Sequence, residues 1–384
     1  MGQGEGRSQD GEDSGGALNG PAKVAPACCG APRSTRPAGP YHDRFVDRWL
    51  VTPAGRIAHV ATTLDWHDTA GRWLRRWGIR RAAYRVTPGL YAVGNAGADS
   101  PVLVTANYKM TFDALRKELG GVDAWVLVLD THGVNVWCAA GEGTFGTEEL
   151  VRRVKATELG NLVSHRKLIL PQLGAPGVSA HRVREGCGFS AAYGPVFARD
   201  IRRFLEDGMK TTPGMRAVTF TMPERLVLTP MELAGLLKPS AWMTLVLFLM
   251  AGVGPGGFSL ASAWQRGTGA LAVWIAGILG GAVLTPLLLP WLPGRAFSAK
   301  GALVGAVMAG LGLAKYGASS GALHGLAVLL ALTVICSFVA MNFTGATPYT
   351  SPSGVEKEMR RAIPLQASAA ALAGIFWVGG AFVR

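Results

Sequence analysis

Five long apolar segments in the carboxyl-terminal part of the chain constrain its fold more than any other feature. They lie at about residues 240–258, 268–291, 299–317, 321–343 and 365–383. Each is close to the roughly 20 residues that an α-helix needs to cross the hydrocarbon core of a bilayer. Glycine is abundant in them, and small residues let transmembrane helices pack closely. The sequence therefore predicts an all-α transmembrane domain of five helices at residues 240–384.

Basic residues in the connecting loops predict the orientation of these segments. If the amino-terminal part is cytoplasmic, the loops on that side contain Arg295, Lys300, Lys357, Arg360 and Arg361. The opposite loops and the carboxyl terminus contain Arg266, Lys315 and Arg384. Because cytoplasmic loops are enriched in Lys and Arg, we expect a multi-pass protein of the cytoplasmic (inner) membrane with its carboxyl terminus outside.

The chain before these segments divides into a leader, a globular region and a linker. Residues 1–40 are rich in Gly, Pro, Ala and charge and lack an apolar stretch, which is typical of a disordered leader and not of a signal peptide. In residues 41–228 short strands alternate with helices, which predicts an α/β domain with a largely parallel sheet. Strands are expected at 48–51, 57–62, 82–86, 101–105, 124–130, 167–170, 188–192 and 217–222. Residues 229–239 predict a short amphipathic linker helix.

Charge and cysteine content limit the classes of partner and site. A net charge of +13 together with a mean hydropathy of +0.25 indicates a membrane protein with a basic cytoplasmic part. No nucleic-acid partner is expected, because the chain contains no nucleic-acid-binding motif. The five cysteines include no CxxC pair, so neither a zinc finger nor an iron–sulfur cluster is expected. Their odd number favours a reducing compartment.

A single cysteine follows the most apolar predicted strand of the globular region. The run at 124–129 ends at Asp130, and a turn through Gly133 leads to Cys138. Free cysteine is often only a small buried hydrophobe. However, open α/β sheets bind ligands beyond the carboxyl ends of their strands, and the first turn of a helix favours the thiolate that attacks or ligates. A thiol nucleophile would need a base, for which His132, His165 and His181 are candidates that spacing does not separate.

Residue chemistry alone does not identify the ligand of this thiolate. Residues 130–135 nearly match the cobalamin-binding pattern DxHxxG, but the final glycine is missing, so His132 is not expected to bind cobalt. The phosphate-binding GxxxxGK[ST], the zinc-binding HExxH and the hydrolase GxSxG patterns do not occur. The residues therefore predict a thiolate-bearing α/β domain anchored to a membrane.

Several stretches resemble a known family. NVWCAAG at 135–141 resembles the cap-helix motif of the HgcA family, the membrane-bound corrinoid proteins of mercury methylation. Residues 106–119, 127–141, 143–150, 164–181 and 193–201 resemble the same superfamily, which includes the large subunit of the corrinoid iron–sulfur protein of acetyl-CoA synthesis. Residues 347–364 resemble the membrane part of HgcA. The cap cysteine, the five-span membrane domain and the lack of cluster cysteines favour HgcA within this superfamily.

The resemblance implies a Rossmann-like corrinoid-binding domain at residues 41–228 and a methyl transfer to Hg(II). Cys138 would be the catalytic residue and the lower axial thiolate ligand of cobalt in a base-off corrinoid. A thiolate donates strongly to cobalt and labilises the opposite methyl group. The implied cofactor contacts from the cap and its glycine loop are Asn135, Val136, Trp137, Ala139, Ala140, Gly141, Gly143, Thr144 and Gly146. Those from other strand ends are Thr105, Asn107, Gln172, Gly174, Tyr193 and Gly194.

The resemblance also implies partners, and three points stay open. A folate-linked (methyl-tetrahydrofolate) donor would supply the methyl group, and the ferredoxin-like protein HgcB would reduce cobalt through its iron–sulfur clusters. The family motif continues with Lys where this chain has Glu142, which either alters corrinoid contacts or lies at a solvated position that tolerates both charges. Cys28 and Cys29 are a candidate Hg(II) pair or incidental residues of the leader. The alternatives are a paralogous corrinoid protein with another methyl acceptor, and a mercury-binding or transport protein of the membrane.

Overall fold

The computed structural model describes residues 44–316, 321–343 and 352–383. Its amino-terminal domain contains one sheet formed by β1 (Val46–Thr52), β2 (Gly55–Val60), β3 (Gly89–Val93), β4 (Val102–Ala106), β5 (Ala124–Leu129), β6 (Lys167–Leu170) and β7 (Ser190–Tyr193). The strand order is β1-β2-β3-β5-β4-β6-β7. The β1/β2 and β3/β5 pairs are antiparallel, and all other neighbours are parallel. The predicted α/β fold with a largely parallel sheet is confirmed.

Helices cover both faces of this sheet. They are α1 (Trp66–Arg76), α2 (Lys109–Arg116), α3 (Val136–Glu142), α4 (Thr147–Ala156), α5 (Ala180–Cys187) and α6 (Ile201–Glu206). Side chains of β4, β5 and β6 alternate between a core shared with α3, α4 and α5 and a second core shared with α2 and α6. All six residues of β5 are buried, which is why this strand is a continuous apolar run in the sequence.

Two predicted strands are wrong. Residues 82–86 form a 3₁₀ turn (Arg81–Ala83) and a single bridge from Arg85 to Tyr108. The strand at this place is β3, which begins at Gly89, directly after the expected Pro88-Gly89 turn. Residues 217–222 lead without a strand into a short helix, α7 (Met222–Leu226), because Thr221 and Glu224 form a capping box that begins a helix there.

The remaining helices form the apolar part of the chain. They are α8 (Thr229–Ala251), α9 (Leu260–Leu279), α10 (Thr285–Leu288), α11 (Phe297–Tyr316), α12 (Ala322–Asn342) and α13 (Pro352–Gly379), and a π-helical segment (Gly280–Leu284) joins α9 to α10. Across the described ranges, five helical segments are long and apolar enough to cross a membrane. The five-helix prediction is confirmed, although residues 229–239 are no separate linker but the beginning of α8, which continues through Pro239.

Glycine allows close helix packing in this domain, as expected. A Cβ atom at Gly301 of α11 would lie 2.4 Å from the carbonyl oxygen of Cys336 in α12. A Cβ atom at Gly305 would lie 2.3 Å from the carbonyl oxygen of Leu332. Residues larger than glycine would therefore force α11 and α12 apart.

The sheet has a topological switch point between β4 and β6. From β4 the chain passes through α2 to β5 on one side, whereas from β6 it passes through α5 to β7 on the other side. The two connections lie on opposite faces of the sheet. The loops after β4 and β6 consequently diverge and leave a crevice at the carboxyl ends of these strands, where ligands of open α/β sheets bind.

Candidate functional site

A crevice at the switch point is the candidate site of the α/β domain. It has a volume of about 390 Å³. Its walls come from the ends of β4 and β6, one face of α2, the beginning of α3, and residues 194–198 after β7. The walls are mainly apolar, with Thr105, Thr111 and Asn135 as the polar side chains. An apolar cleft with few polar groups is typical of a small-molecule site.

Helix α3 forms one wall of this crevice and carries the cysteine. Asn135 is the N-cap of the helix, and its Oδ1 accepts a hydrogen bond of 3.0 Å from the backbone N–H of Cys138. The Cys138 side chain is half-buried. The helix ends at Gly143, which has a φ of +83° that favours glycine. The cysteine thus lies in the first turn of a capped helix beyond the carboxyl end of β5, as the sequence predicted.

Asn107 organises the turn between β5 and α3. It is 1% exposed. Its Oδ1 accepts hydrogen bonds from the Thr131 backbone N–H (3.1 Å), the Thr131 hydroxyl (2.9 Å) and the Gly133 backbone N–H (2.9 Å). Its Nδ2 donates to Asp130 Oδ1 at 3.0 Å. The Asn107 side chain, expected at the cofactor, is therefore engaged with the turn from which α3 projects.

Phe145 fills the space behind α3. Its side chain is fully buried, and a Cβ atom at Gly174 would lie 2.5 Å from its ring. A Cβ atom at Gly146 would lie 2.6 Å from the Gly143 carbonyl oxygen. These two glycines thus permit close contacts within the protein. By contrast, a Cβ atom at Gly141 would have no described atom within 4 Å, so Gly141 leaves open space on the exposed side of α3.

The structure brings together part of the expected cofactor set. Thr105, Asn135, Val136, Trp137 and Gly194 line the crevice. Trp137 is 44% exposed and so is not a core residue. The other expected residues lie around the crevice without lining it. They are Cys138 in the first turn of α3, Ala139 and Ala140 on the buried side of this helix, Gly141 on its exposed side, Gly143, Thr144 and Gly146 in the glycine loop after it, and Asn107, Gln172, Gly174 and Tyr193 near the ends of β4, β6 and β7. Cys28 and Cys29 lie outside the described residues.

The three candidate bases lie in different places. His132 is exposed in the turn before α3, and its φ is +58°. His165 precedes β6 and is hydrogen-bonded through Nε2 to the Ser100 carbonyl at 2.9 Å, at the opposite edge of the sheet from α3. His181 is exposed on α5, where its Nε2 lies 3.1 Å from Glu185. His132 after β5 and His181 in the first turn of the helix after β6 thus both follow the carboxyl end of a strand, as Cys138 does, whereas His165 precedes its strand.

Glu142 is the last residue of α3, and its side chain is exposed. An anion at the carboxyl end of a helix is unfavourable with the helix dipole, and a cation there would be favourable. The position is solvated, in line with the interpretation that it tolerates either charge.

Sequence reasoning missed the wall that α2 contributes. Thr111, Ala114 and Leu115 line the crevice. Their spacing, i, i+3 and i+4, places them on one face of a helix, and that spacing was the available signal. The loop residues Pro171 and Leu173 and the segment 194–198 agree with the expectation that loops after β6 and β7 form the other side.

The tyrosine at the end of β7 supports this side of the crevice. The Tyr193 hydroxyl donates a hydrogen bond of 2.6 Å to the Val178 carbonyl oxygen. Burial raises the pKa of this phenol above its ordinary value. Tyr193 is therefore a neutral hydrogen-bond donor at neutral pH and holds the end of β7 to the segment before α5.

Comparison with known proteins finds relatives for the α/β domain. Residues 80–191 match the family described as CO dehydrogenase/acetyl-CoA synthase delta subunit (CdhD). The acetyl-CoA decarbonylase/synthase complex subunit gamma of Archaeoglobus fulgidus is 31% identical over 128 residues, which are 33% of this chain and 27% of that protein. The same subunit of Methanocaldococcus jannaschii is 37% identical over 129 residues, 33% of this chain and 26% of that protein.

A bacterial protein gives a similar match. The corrinoid/iron–sulfur protein large subunit of Moorella thermoacetica is 30% identical over 122 residues, 31% of this chain and 27% of that protein. The chain thus spans about a quarter of the length of the curated relatives that it matches. These similarities support the corrinoid iron–sulfur protein large-subunit superfamily for the α/β domain. The family match at residues 80–191 includes α3 with Cys138 and both strands of the switch point, β4 and β6.

Proposed function

We propose that this protein is a membrane-anchored corrinoid protein that transfers a methyl group to Hg(II), with Cys138 as the lower axial ligand of cobalt. The observation that carries the proposal is the position of Cys138. Cys138 is half-buried in the first turn of α3. The three residues directly before it, Asn135, Val136 and Trp137, line the switch-point crevice. Similarity to the large subunit of a corrinoid/iron–sulfur protein supports the cofactor class.

The residues at the crevice fit a corrinoid. A volume of about 390 Å³ is at the lower end of the range for small-molecule sites, and a corrin ring is larger. The crevice walls would hold part of the group, and Gly141 leaves open space on the exposed side of α3 for the part that the crevice does not enclose. Apolar walls suit the ring, and a thiol is a suitable ligand for a soft metal centre.

The side chains of this site would bind and orient, and the bound corrinoid would supply the transferable methyl group. Asn135 caps α3 and holds the Cys138 backbone in place. Asn107 holds the turn before α3 through four hydrogen bonds. These hydrogen bonds fix the backbone of the turn and of the first turn of α3, on which Cys138 lies.

We also propose partners and orientation. Two of the relatives are, by name, subunits of an acetyl-CoA decarbonylase/synthase complex, which supports protein partners for this chain. A ferredoxin-like protein such as HgcB would supply electrons, because cluster-forming cysteine pairs do not occur in this sequence. A folate-linked donor would supply the methyl group. The distribution of Lys and Arg supports a cytoplasmic α/β domain.

Two measurements test the proposal. The first is the absorbance spectrum of purified full-length protein after reconstitution with a corrinoid under reducing conditions. Cys138→Ala should change this spectrum, and Cys187→Ala, which removes another half-buried thiol, should not. Failure to bind any corrinoid would refute the proposal.

The second measurement identifies the methyl acceptor. Cells that carry this chain and its ferredoxin partner should form methylmercury, and Cys138→Ala should abolish its formation. Corrinoid binding without methylmercury formation would instead indicate a paralogous protein with another acceptor.

A further inference from the structure

The α/β domain has an exposed tryptophan face on α1. Trp66, Trp73 and Trp77 are 70%, 58% and 42% exposed. The first two are separated by seven residues and the last two by four, so all three lie on one side of the helix. Ile79, directly after the helix, is 51% exposed. Contiguous exposed apolar residues of this size mark an interaction surface.

Helix α1 has its polar side turned toward the protein. Asp68 forms ion pairs with Lys109 and Arg116 of α2. Arg75 is 3% exposed, and its guanidinium lies 4.4 Å from the centre of the Tyr84 ring. Because charged residues attach α1 to the domain, its tryptophans point outward. This arrangement is the reverse of that of an ordinary surface helix, whose apolar face is buried.

The end of α1 lies beside the first membrane-spanning helix. A Cβ atom at Gly78 would lie 3.5 Å from Met231 Sδ, and Met231 is in the first turn of α8. The 23 residues of α8 extend about 34 Å at about 1.5 Å per residue, little more than the ~30 Å hydrocarbon core of a bilayer. If α8 crosses the membrane, its first turn and the adjacent end of α1 lie at the membrane boundary.

Basic residues accompany the tryptophans. Arg72 and Arg76 are half-buried on α1, and Arg80 is exposed after it. The guanidinium of Arg76 lies 5.8 Å from the centre of the Trp73 ring. The single acidic residue within the helix, Asp68 in its first turn, is neutralised by Lys109 and Arg116. The surface around the tryptophan face is therefore positive, as anionic lipid headgroups require.

We propose that α1 is an interfacial helix whose tryptophan face inserts into the anionic headgroup region of the membrane that α8 crosses. Trp is the residue type that concentrates at bilayer interfaces, and helices with apolar and basic faces lie in the interface plane. Insertion of α1 would fix the rotation of the α/β domain relative to the membrane. The proposal depends on the membrane assignment of α8–α13 and is independent of the cofactor.

Depth measurement on the full-length protein tests this proposal. A ketone-bearing phenylalanine analogue, coupled to a nitroxide, replaces Trp73 in protein reconstituted into nanodiscs that contain phosphatidylglycerol. The ratio of oxygen to nickel-complex accessibility, read by electron paramagnetic resonance, should correspond to a depth of about 5–10 Å below the headgroup surface. The same label at Trp66 reports on the same face if substitution at Trp73 disturbs the helix.

Labels at two control positions distinguish failure of the proposal for α1 from failure of the membrane assignment. A label at His181, exposed on α5 at the other face of the sheet, should show aqueous accessibility, several-fold below the ratio at position 73. A label at Phe338, exposed on α12, should show lipid accessibility; an aqueous value there would refute the membrane assignment itself.

Three results would overturn the interfacial role of α1. The first is aqueous accessibility at positions 66 and 73 while position 338 reports lipid. The second is burial of these labels only after an acidic protein is added, which would identify a protein-docking surface. The third is an unchanged depth when phosphatidylcholine replaces all phosphatidylglycerol, which would refute the role of anionic lipid. The expected result in phosphatidylcholine is a shallower label.

Discussion

Replacement of Asn107 by alanine should loosen the turn that carries α3, although this side chain does not line the crevice. Asn107→Ala removes three hydrogen bonds accepted by Oδ1 and one donated by Nδ2. Two of the lost partners are the backbone N–H groups of Thr131 and Gly133, and both bonds are buried. Each buried donor left unsatisfied costs roughly 1–3 kcal/mol. We therefore expect the turn to lose about 3–4 kcal/mol of stability against local opening, near the middle of the range for two such donors.

Hydrogen exchange of the full-length protein measures this loss. Because ~1.4 kcal/mol corresponds to a factor of ten, the Thr131 and Gly133 amides should exchange about 100- to 1000-fold faster in Asn107→Ala. Asn135→Ala, which removes one helix cap, should cost only about 1 kcal/mol and affect mainly the Cys138 amide.

A surface variant provides the matched control. Asn161→Ala removes an exposed hydrogen bond to Glu158 and should leave exchange of the turn unchanged. Less than a tenfold change at Thr131 and Gly133 in Asn107→Ala would refute the role of Asn107 in organising the turn. Reduced corrinoid retention in Asn107→Ala, with the Cys138 side chain intact, would connect this turn to the proposed function.

Three further predictions concern charge and packing. Burial raises the pKa of Asp68, but its hydrogen bond with Lys109 and the charges of Lys109 and Arg116 outweigh burial and hold this pKa below its ordinary value of 3.8. The stabilisation from ionised Asp68 should therefore be present at pH 7 and be lost as the pH falls below about 3.8. Asp68→Asn should lower the free energy of unfolding at pH 7 by about 3 kcal/mol. The same substitution should make the melting temperature depend less on acid pH. Glu142→Lys should leave corrinoid retention unchanged and slow hydrogen exchange in α3 slightly, because its side chain is exposed at the carboxyl end of that helix; a severalfold loss of corrinoid would contradict a solvated position. Gly301→Leu should lower the stability of the detergent-solubilised protein by about 1–3 kcal/mol. Gly312→Leu should not lower it, because a Cβ atom at Gly312 meets no described atom within 4 Å. Equal melting temperatures for the two variants would contradict close packing of α11 on α12.

The sequence predicts most reliably those elements that have a strong local signal. The strand at 124–130 was predicted almost to the residue, because burial of both faces makes it a continuous apolar run. The membrane segments are also continuous apolar runs, because a helix that crosses a bilayer is apolar where it contacts lipid. The beginning of α3 followed from the position of Cys138 after a strand and a glycine turn.

The sequence does not predict elements whose local residue pattern suggests another structure, or whose stabilising contacts come from distant parts of the chain. The apolar residues of α1 are exposed and its buried residues are charged, so its pattern does not indicate a helix that packs on a core. Strand β3 is stabilised by antiparallel pairing with β5, a contact between segments far apart in sequence. Residues 82–86 have strand-like composition, but Tyr84 is buried against Arg75 in a turn.

The role of Cys138 as the central residue of the candidate site stays a prediction, and the sequence predicts the walls of the crevice only in part. Cys138 was identified by its place after a strand and by a resemblance to a family. Asn107 was expected to contact the cofactor because it follows β4, but its four hydrogen bonds to the turn arise from residues more than twenty positions away. The wall from α2 was missed because Ala114 and Leu115 have no chemistry that marks a site.

The most direct test of the central claim is cobalt K-edge X-ray absorption of the corrinoid-loaded, full-length protein. The proposal predicts a sulfur neighbour of cobalt in the unaltered protein and in Cys187→Ala, and loss of that neighbour in Cys138→Ala. Equal spectra for the unaltered protein and Cys138→Ala, with corrinoid bound in both, would contradict ligation by Cys138.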